Sequence, residues 1–551
     1  MKASGPRTRT LTVIAANSAL ALGHASGLVS APAAAQGYLA APASPPLGGQ
    51  GYAGAPVSPS AGQPGWRVTP SVSVRETYTN NANLAPSGQE QSSFVTSATA
   101  AVGVSGVGAR AQLNGSAAVQ GVLYAGDYST NNSSNSFFVN ANLLGRVEAV
   151  EKFFFIEGAV NVSQQYLNPF GPQPASNIGV TNNRYTAAGF RVSPYIRGVF
   201  AGGATYLLRY DAIWSNLGNN QALPGATSSY AQRWTGRIDS PIRTFGWSLD
   251  AAANNTKFSN QSTAVTNEIV RGYLNYRPDP QLLLYGIGGY EWNNYYLTQS
   301  SDIVYGAGGE WRPTERTNVR GNWQHRFFGS EYLAAVTHRN PYTAFDVNAS
   351  QNISTYPQQL FAAPAGGDVA ALVNAALTTR IPDPVQRAEA VQTFLQTSGL
   401  PATLQSPLNY YIQQVFLYEQ QTATFTLLGV RNSTAFTLYN RKQEVISGGT
   451  GAALPAPFGA LNNNTQRGGA ITFSHRLTPL TDMNATATRY QTIASAPFTG
   501  TSTTNSVLLS ATRRLSPKTD GFTGVTYTNF NSNITTDYNA FTVFVGLGHR
   551  F

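Results

Sequence analysis

Histidine and arginine stand side by side four times in this chain, as His325-Arg326, His338-Arg339, His475-Arg476 and His549-Arg550. Imidazole can move protons or bind a metal, and guanidinium grips carboxylate, phosphate or sulfate through a planar fork of donors. A metal site needs converging ligands, and these histidines lie far apart without ligand spacing. Ser474 and His475 are adjacent, so in a strand they face opposite sides and cannot form a dyad. Gly286-Ile287-Gly288-Gly289 reads as strand glycine, and nothing resembles a Walker or dinucleotide motif. The chain has no cysteine, which removes disulfides and thiolate chemistry. The residues therefore predict no enzyme activity, no metal, no cofactor and no nucleic-acid partner. They leave two roles for the arginines: anchoring at a membrane rim, or lining a lumen that holds anions.

The elements that carry these pairs have a period of two. From Asn539 onward one parity reads Phe541, Val543, Val545, Leu547 and Phe551, while the other carries Thr542, Gly546, Gly548 and Arg550. A strand turns successive side chains to opposite faces, so this segment has one oily face and one small or polar face. The pattern recurs from about residue 67 to the end and predicts an all-β fold: a large antiparallel transmembrane β-barrel of about 22 strands. Pro-containing turns at 277–280, 312–315, 478–481 and 516–519 fall on the side that carries both termini, the expected periplasmic side. Longer polar connections, such as 80–92, 168–183, 217–228 and 447–464, fall on the other. Aromatics near predicted strand ends (Tyr78, Tyr124, Tyr166, Trp214, Trp292, Trp311) fit interfacial girdles.

Composition agrees. Charged residues make up 11% of the 551, too few to keep a soluble protein of this size dispersed. Residues 1–35 read as a signal peptide, with Lys2, Arg7 and Arg9 before an apolar stretch and Ala33-Ala34-Ala35 at the cleavage point. Residues 36–66 read as a disordered Ala/Pro/Gly-rich periplasmic lead, and 67–551 as the barrel. No later stretch has the roughly 18 consecutive apolar residues of a transmembrane helix. A secreted chain crossing a membrane by strands belongs in the outer membrane of a Gram-negative bacterium, in contact with outer-membrane lipid and lipopolysaccharide. Its C-terminal strand would engage the barrel-assembly machinery.

One segment, 366–413, breaks the strand pattern. Val369, Leu372, Val373, Ala376 and Leu377 have helical spacing, Ile381-Pro382-Asp383-Pro384 interrupts, and a second helix presents Val385, Ala388, Val391, Phe394 and Leu395. The apolar face of Leu372, Val373, Leu377, Val391, Phe394 and Leu395 needs a surface to bury against, so the helical hairpin is expected as a plug or a lid.

Several stretches resemble the outer-membrane β-barrel family associated with the exosortase (PEP-CTERM) sorting system. They are Val68-Thr69-Pro70-Ser71-Val72-Ser73-Val74 with Glu76-Thr77-Tyr78-Thr79-Asn80-Asn81, Asn168-Pro169-Phe170-Gly171-Pro172, Ser193-Pro194-Tyr195-Ile196-Arg197, and Ile381-Pro382-Asp383-Pro384-Val385-Gln386-Arg387. The resemblance implies an association with extracellular polysaccharide production, with polysaccharide and periplasmic export components as partners. The leading expectation is a conduit for exopolysaccharide. The others are a diffusion porin for small anions and a structural or adhesive surface barrel. Arg326, Arg339, Arg476, Arg514 and Arg550 are the candidate lumen or rim cations. Arginine supplies 30 of the 35 basic residues, which favours an anionic solute.

Overall fold

The computed structural model describes residues 65–128, 137–174, 176–217, 228–259, 263–295, 298–361, 368–378, 380–382, 414–446 and 462–551, with isolated positions in the insertion. The expected signal peptide and nearly all of the expected lead lie outside the described residues.

Twenty-two strands follow one another along the chain. The first half comprises β1 (Gly65–Thr79), β2 (Ser93–Val107), β3 (Ala111–Gly126), β4 (Phe137–Val150), β5 (Phe154–Tyr166), β6 (Arg184–Val199), β7 (Thr205–Leu217), β8 (Ser228–Asp239), β9 (Phe245–Phe258), β10 (Val265–Asp279) and β11 (Leu282–Tyr295). The second half comprises β12 (Thr298–Thr314), β13 (Thr317–Arg326), β14 (Gly329–Arg339), β15 (Thr343–Thr355), β16 (Val415–Leu428), β17 (Asn432–Val445), β18 (Asn464–Thr478), β19 (Thr481–Ala494), β20 (Thr501–Ser516), β21 (Thr519–Ser532) and β22 (Tyr538–Arg550). Each pairs antiparallel with the next, and β1 pairs with β22 in the register Val74↔Leu547. The sheet therefore closes, leaving no edge whose unpaired N–H and C=O groups would meet lipid.

Alternation gives the two faces their chemistry. On β1, Val68, Val72 and Val74 point out and are exposed, while Ser71, Ser73, Arg75 and Thr77 point in and are buried. On β18, Ile471 and Phe473 point out, and Gln466, Thr472 and Ser474 point in. An apolar belt around a closed antiparallel barrel is the outer-membrane solution, and the chain is an outer-membrane protein. Among the described residues no helix is long and apolar enough to cross a membrane, and the strands do so instead.

Connections differ between the two ends. Those beside the termini are short, such as 280–281, 479–480 and 517–518, and include all four Pro turns. Gly203 (φ +77°) sits in one of them, where a side chain would strain the backbone. The other end carries 80–92, 167–183 and the insertion between β15 and β16. Residues 218–227 and 447–461, within two of the expected outer loops, lie outside the described residues.

Candidate functional site

The closed wall of strands encloses a lumen, so the site is built from the inward parity of each strand and from whatever folds in between. The chain leaves the wall after Thr355, ten residues before the predicted insertion. A short helix, α1 (Tyr356–Gln359), starts there with Pro357 in its first turn, and Gln358 Oε1 accepts the Thr355 N–H at 3.1 Å. Tyr356 donates its hydroxyl to Gln165 Oε1 of β5 at 2.8 Å, and Leu360 and Phe361 pack on Ala159, Ala187, Ile213, Leu217 and Ala231 of β5 to β8. Thus α1 reaches from β15 to strands well round the barrel. Val415 beside it packs with Phe258, Val265 and Tyr295 of β9 to β11 in an apolar cluster near the outer mouth.

A second helix, α2 (Val369–Leu377), is capped by Asp368, whose carboxylate accepts the Ala371 N–H at 2.8 Å. Its Val369, Leu372, Val373 and Ala376 are buried against Ala344, Leu428, Ala435 and Ala470, which have inward parity on β15 to β18. Ala344, Leu428 and Ala435 lie at the terminus-bearing ends of their strands. Beyond the helix, the Arg380 guanidinium stacks 4.7 Å from the Tyr342 ring, in a turn at that same end. Arg387 ties the next segment back, donating to Asn374 Oδ1 at 2.8 Å and to the carbonyls of Ile381 and Pro382. Val391 is buried in the same cluster, with Leu377, Phe394 and Leu395 packed against it. Val385, Ala388 and residues 405–413 lie outside the described residues. The insertion therefore enters from the outer ends of β15 and β16 and reaches the opposite rim inside the wall.

The connection 167–183 also folds inward. Phe170 is fully buried, its carbonyl accepts from Thr535 at 3.2 Å, and the Pro169 carbonyl accepts from Ser502 of β20 at 3.4 Å. Tyr124 donates to the Ile178 carbonyl at 3.0 Å, Tyr166 to the Pro174 carbonyl at 3.0 Å, and Arg184 to the carbonyls of Ser176, Asn177 and Gly179. Tyr124 and Tyr166 therefore point into the lumen, correcting the girdle expectation. Their hydroxyls serve backbone carbonyls of a buried loop that would otherwise lack donors. Tyr78, Trp214, Trp292 and Trp311 do face outward.

The inner wall is chemically two-sided. Across β5 to β14 it carries ion pairs: Arg209 with Glu157 (2.7 Å) and Asp211 (2.9 Å), Arg271 with Asp250 (2.6 Å), and Arg326 with Glu291 (2.7 Å) and Glu331 (2.5 Å). Across β16 to β20 it carries hydroxyls, for example Thr424 against Thr437 (3.2 Å) and Thr472 against Thr486 (3.0 Å). Guanidinium–aromatic stacks recur around it: Arg75 over Phe544 (4.6 Å), Arg146 and Arg197 on Phe155 (4.6 and 4.5 Å), and Arg441 over Tyr418 (5.3 Å). Arg75 sits where rings lie over luminal glycines, since a Cβ on Gly546 would meet the Phe522 ring at 2.4 Å.

Of the candidate cations, Arg326 is on the inner wall but is buried and fully ion-paired. Arg339, Arg476, Arg514 and Arg550 have inward parity at the terminus-bearing rim, and Arg550 pairs with Asp520 at 2.9 Å. Each neighbouring histidine has outward parity, with His549 against Phe551 and His325 stacked on Tyr305 at 5.1 Å. Phe541, Val543, Val545, Leu547 and Phe551 are exposed on the lipid side of β22. The acidic partners Glu157, Asp211, Asp250 and Glu291 were not singled out from the sequence. The signal available was a carboxylate on the parity opposite to outward aromatics such as Trp292. Among the described residues no group of three or more His, Asp or Glu is placed to hold a metal ion.

Comparison with known proteins gives architecture only. No family model matches the chain, and no curated protein matches it. Among solved structures, the siderophore receptor PirA from Pseudomonas aeruginosa aligns over 89% of this chain and 81% of its own, at 11% identity and a TM-score of 0.40. The FrpB iron transporter from Neisseria meningitidis aligns over 88% and 82%, at 8% identity and 0.44. The outer membrane protein opdK from Pseudomonas aeruginosa aligns over 88% and 99%, at 9% identity and 0.30. At these values the likeness carries no argument about activity, and the fold rests on the strand pairing itself.

Proposed function

We propose that the protein is an outer-membrane channel closed by its own inward-folded segments, with acidic exopolysaccharide as its solute. The observation that carries this reading is the packing of α2 on the inner wall, from a segment that enters at the outer ends of β15 and β16 and reaches Tyr342 at the other rim. A helix docked there fills the path that a solute would take. The polymer assignment is supported by the lining. Stacked guanidinium–ring pairs offer a flat apolar face beside a fixed positive charge, and the threonine-rich half offers hydroxyls, which together suit a carboxylated sugar chain. The resemblance to exosortase-associated barrels points the same way, with periplasmic export components as partners and the assembly machinery engaging β22. The opposed charges of Arg271–Asp250 and Arg326–Glu291 favour a second reading, a porin for small anions.

Single-channel conductance in planar bilayers tests this, comparing the mature protein with a variant lacking residues 366–413. A closed parent and an open, anion-selective variant that acidic polysaccharide blocks support the conduit. An open parent unaffected by the deletion supports the small-anion porin. Silence from both, with insertion verified, supports a surface barrel without transport.

A further inference from the structure

On β18 and β19 two neighbouring arginines face away from the lumen. Arg467 of β18 and Arg489 of β19 have outward parity and are exposed, in line with Ile471, Phe473 and Met483 of the apolar belt. In the register Arg467 pairs with Gln491 and Gly469 pairs with Arg489, which makes the two arginines diagonal neighbours on adjacent strands. Diagonal neighbours lie roughly 7–8 Å apart, within reach of side chains of this length. Like charges so placed repel, and at the lipid boundary water screens them less than in bulk solution, so the arrangement calls for an anion.

The surroundings fit one. Gln491 Oε1 accepts two hydrogen bonds from Arg467, at 2.9 and 2.6 Å, which fixes that guanidinium. Gln491 Nε2 reaches Thr503 at 3.3 Å, and Asn440, the cross-strand partner of Arg467, donates to Gln421 at 2.7 Å. Asn505 pairs across from Arg489. The nearest acids, Glu419 and Glu444, flank the patch on β16 and β17, and Lys442 between them binds Glu444 at 2.7 Å. Arg467 lies three residues below the outer start of β18, and Arg489 five residues below the outer end of β19. This is the upper part of the belt, from which arginine extends its head to the interface. On β7 and β11 the comparable height is taken by outward Trp214 and Trp292.

We infer that Arg467 and Arg489 form a site for the phosphate group of an outer-leaflet glycolipid, with Asn440, Gln491 and Asn505 supplying amide contacts to its sugar headgroup. A guanidinium pair binds a phosphate through two parallel donor sets, and the lipid's acyl chains then lie along the Ile471–Phe473 face. The inference rests on the chain's lying in an outer membrane and not on what passes through the lumen.

The test uses the full mature protein in detergent, with native mass spectrometry of lipid adducts. Probes are lipid A carrying two phosphates, the same lipid enzymatically dephosphorylated, and inorganic phosphate. The wild type is expected to hold the phosphorylated lipid about tenfold more tightly than the dephosphorylated one, a difference of about 1.4 kcal/mol. The Arg467→Gln/Arg489→Gln double variant, with folding checked by heat-modifiable gel mobility, is expected to lose that preference while its conductance matches the parent. A preference that survives the double substitution overturns the site. So does inorganic phosphate competing as well as the lipid, which would make this an exposed anion site with no lipid role. If the double variant fails to fold, Arg489→Lys, which keeps the charge, replaces it. A weakened preference then supports the site, and an unchanged one overturns it.

Discussion

Substituting Val373 by aspartate attacks the proposed closure at a fully buried contact. Val373 has no exposed surface and packs between α2 and the inner wall. Full burial of a side chain of this size is worth about 1.5–3 kcal/mol, which the aspartate forfeits. Its carboxylate then sits among Ala344, Leu428 and Ala435 without a donor, and burying an unpaired polar group costs roughly another 1–3 kcal/mol. Together the penalty is about 4 kcal/mol, close to a thousandfold shift in the docking equilibrium. Because the 22 strands close without the helix, the wall is expected to survive and the loss to fall on docking alone. Single-channel recording reads this as a rise in open probability, and limited proteolysis reads it as new cleavage near 368–378. A variant that inserts and shows heat-modifiable mobility, yet stays as closed and as protease-resistant as the parent, refutes the plug reasoning.

Further outcomes are expected. Burial holds the Asp368 carboxyl above its ordinary value, so the docked state favours the protonated form. Docking is then strongest below the ordinary carboxylate range and weakens as pH rises through the elevated value. Open probability should therefore increase from acid toward neutral pH, and Asp368→Asn, which can still cap α2, should flatten that profile. Arg326→Met leaves Glu291, which has no exposed surface, as an unpaired buried carboxylate. The expected loss is about 3–5 kcal/mol, read as a lower urea midpoint, and adding Glu291→Gln should recover part of it. Gly546→Ala forces the Phe522 ring away from the wall and disturbs the Arg75 stack. A cost of about 1–3 kcal/mol is expected in the same urea assay.

The wall was legible in the sequence because period-two alternation runs through most strands and most reversals are marked. Pro turns or polar runs separate most of the strands, with Phe327-Phe328 between β13 and β14 an exception, and an even count places both termini at one end. The segments inside the wall were harder to read. The helix α1 is four residues long, too short for a 3.6-residue period to show, and only Pro357 after Thr355 signalled a helix start there. The inward fold of 167–183 left no local mark, because its stability comes from Tyr124, Arg184 and Ser502, distant in sequence. Tyr124 and Tyr166 look in sequence like girdle aromatics, since a tyrosine near a strand end suits either an interface or a buried carbonyl. The insertion's apolar face was visible as periodicity in Leu372, Val373 and Leu377. Its destination was not, because the small and apolar residues that receive it, Ala344, Leu428, Ala435 and Ala470, are scattered over four strands.

The tethering of the insertion gives it mechanical polarity. Both of its ends are fixed to the outer ends of β15 and β16, while its far end rests beside Tyr342 at the opposite rim. On the proposed plug reading, load applied from the periplasm pushes the helix toward its own attachment points at the outer ends of β15 and β16. Load from outside pushes it away from them. On that reading, such a closure yields to outward traffic and resists entry.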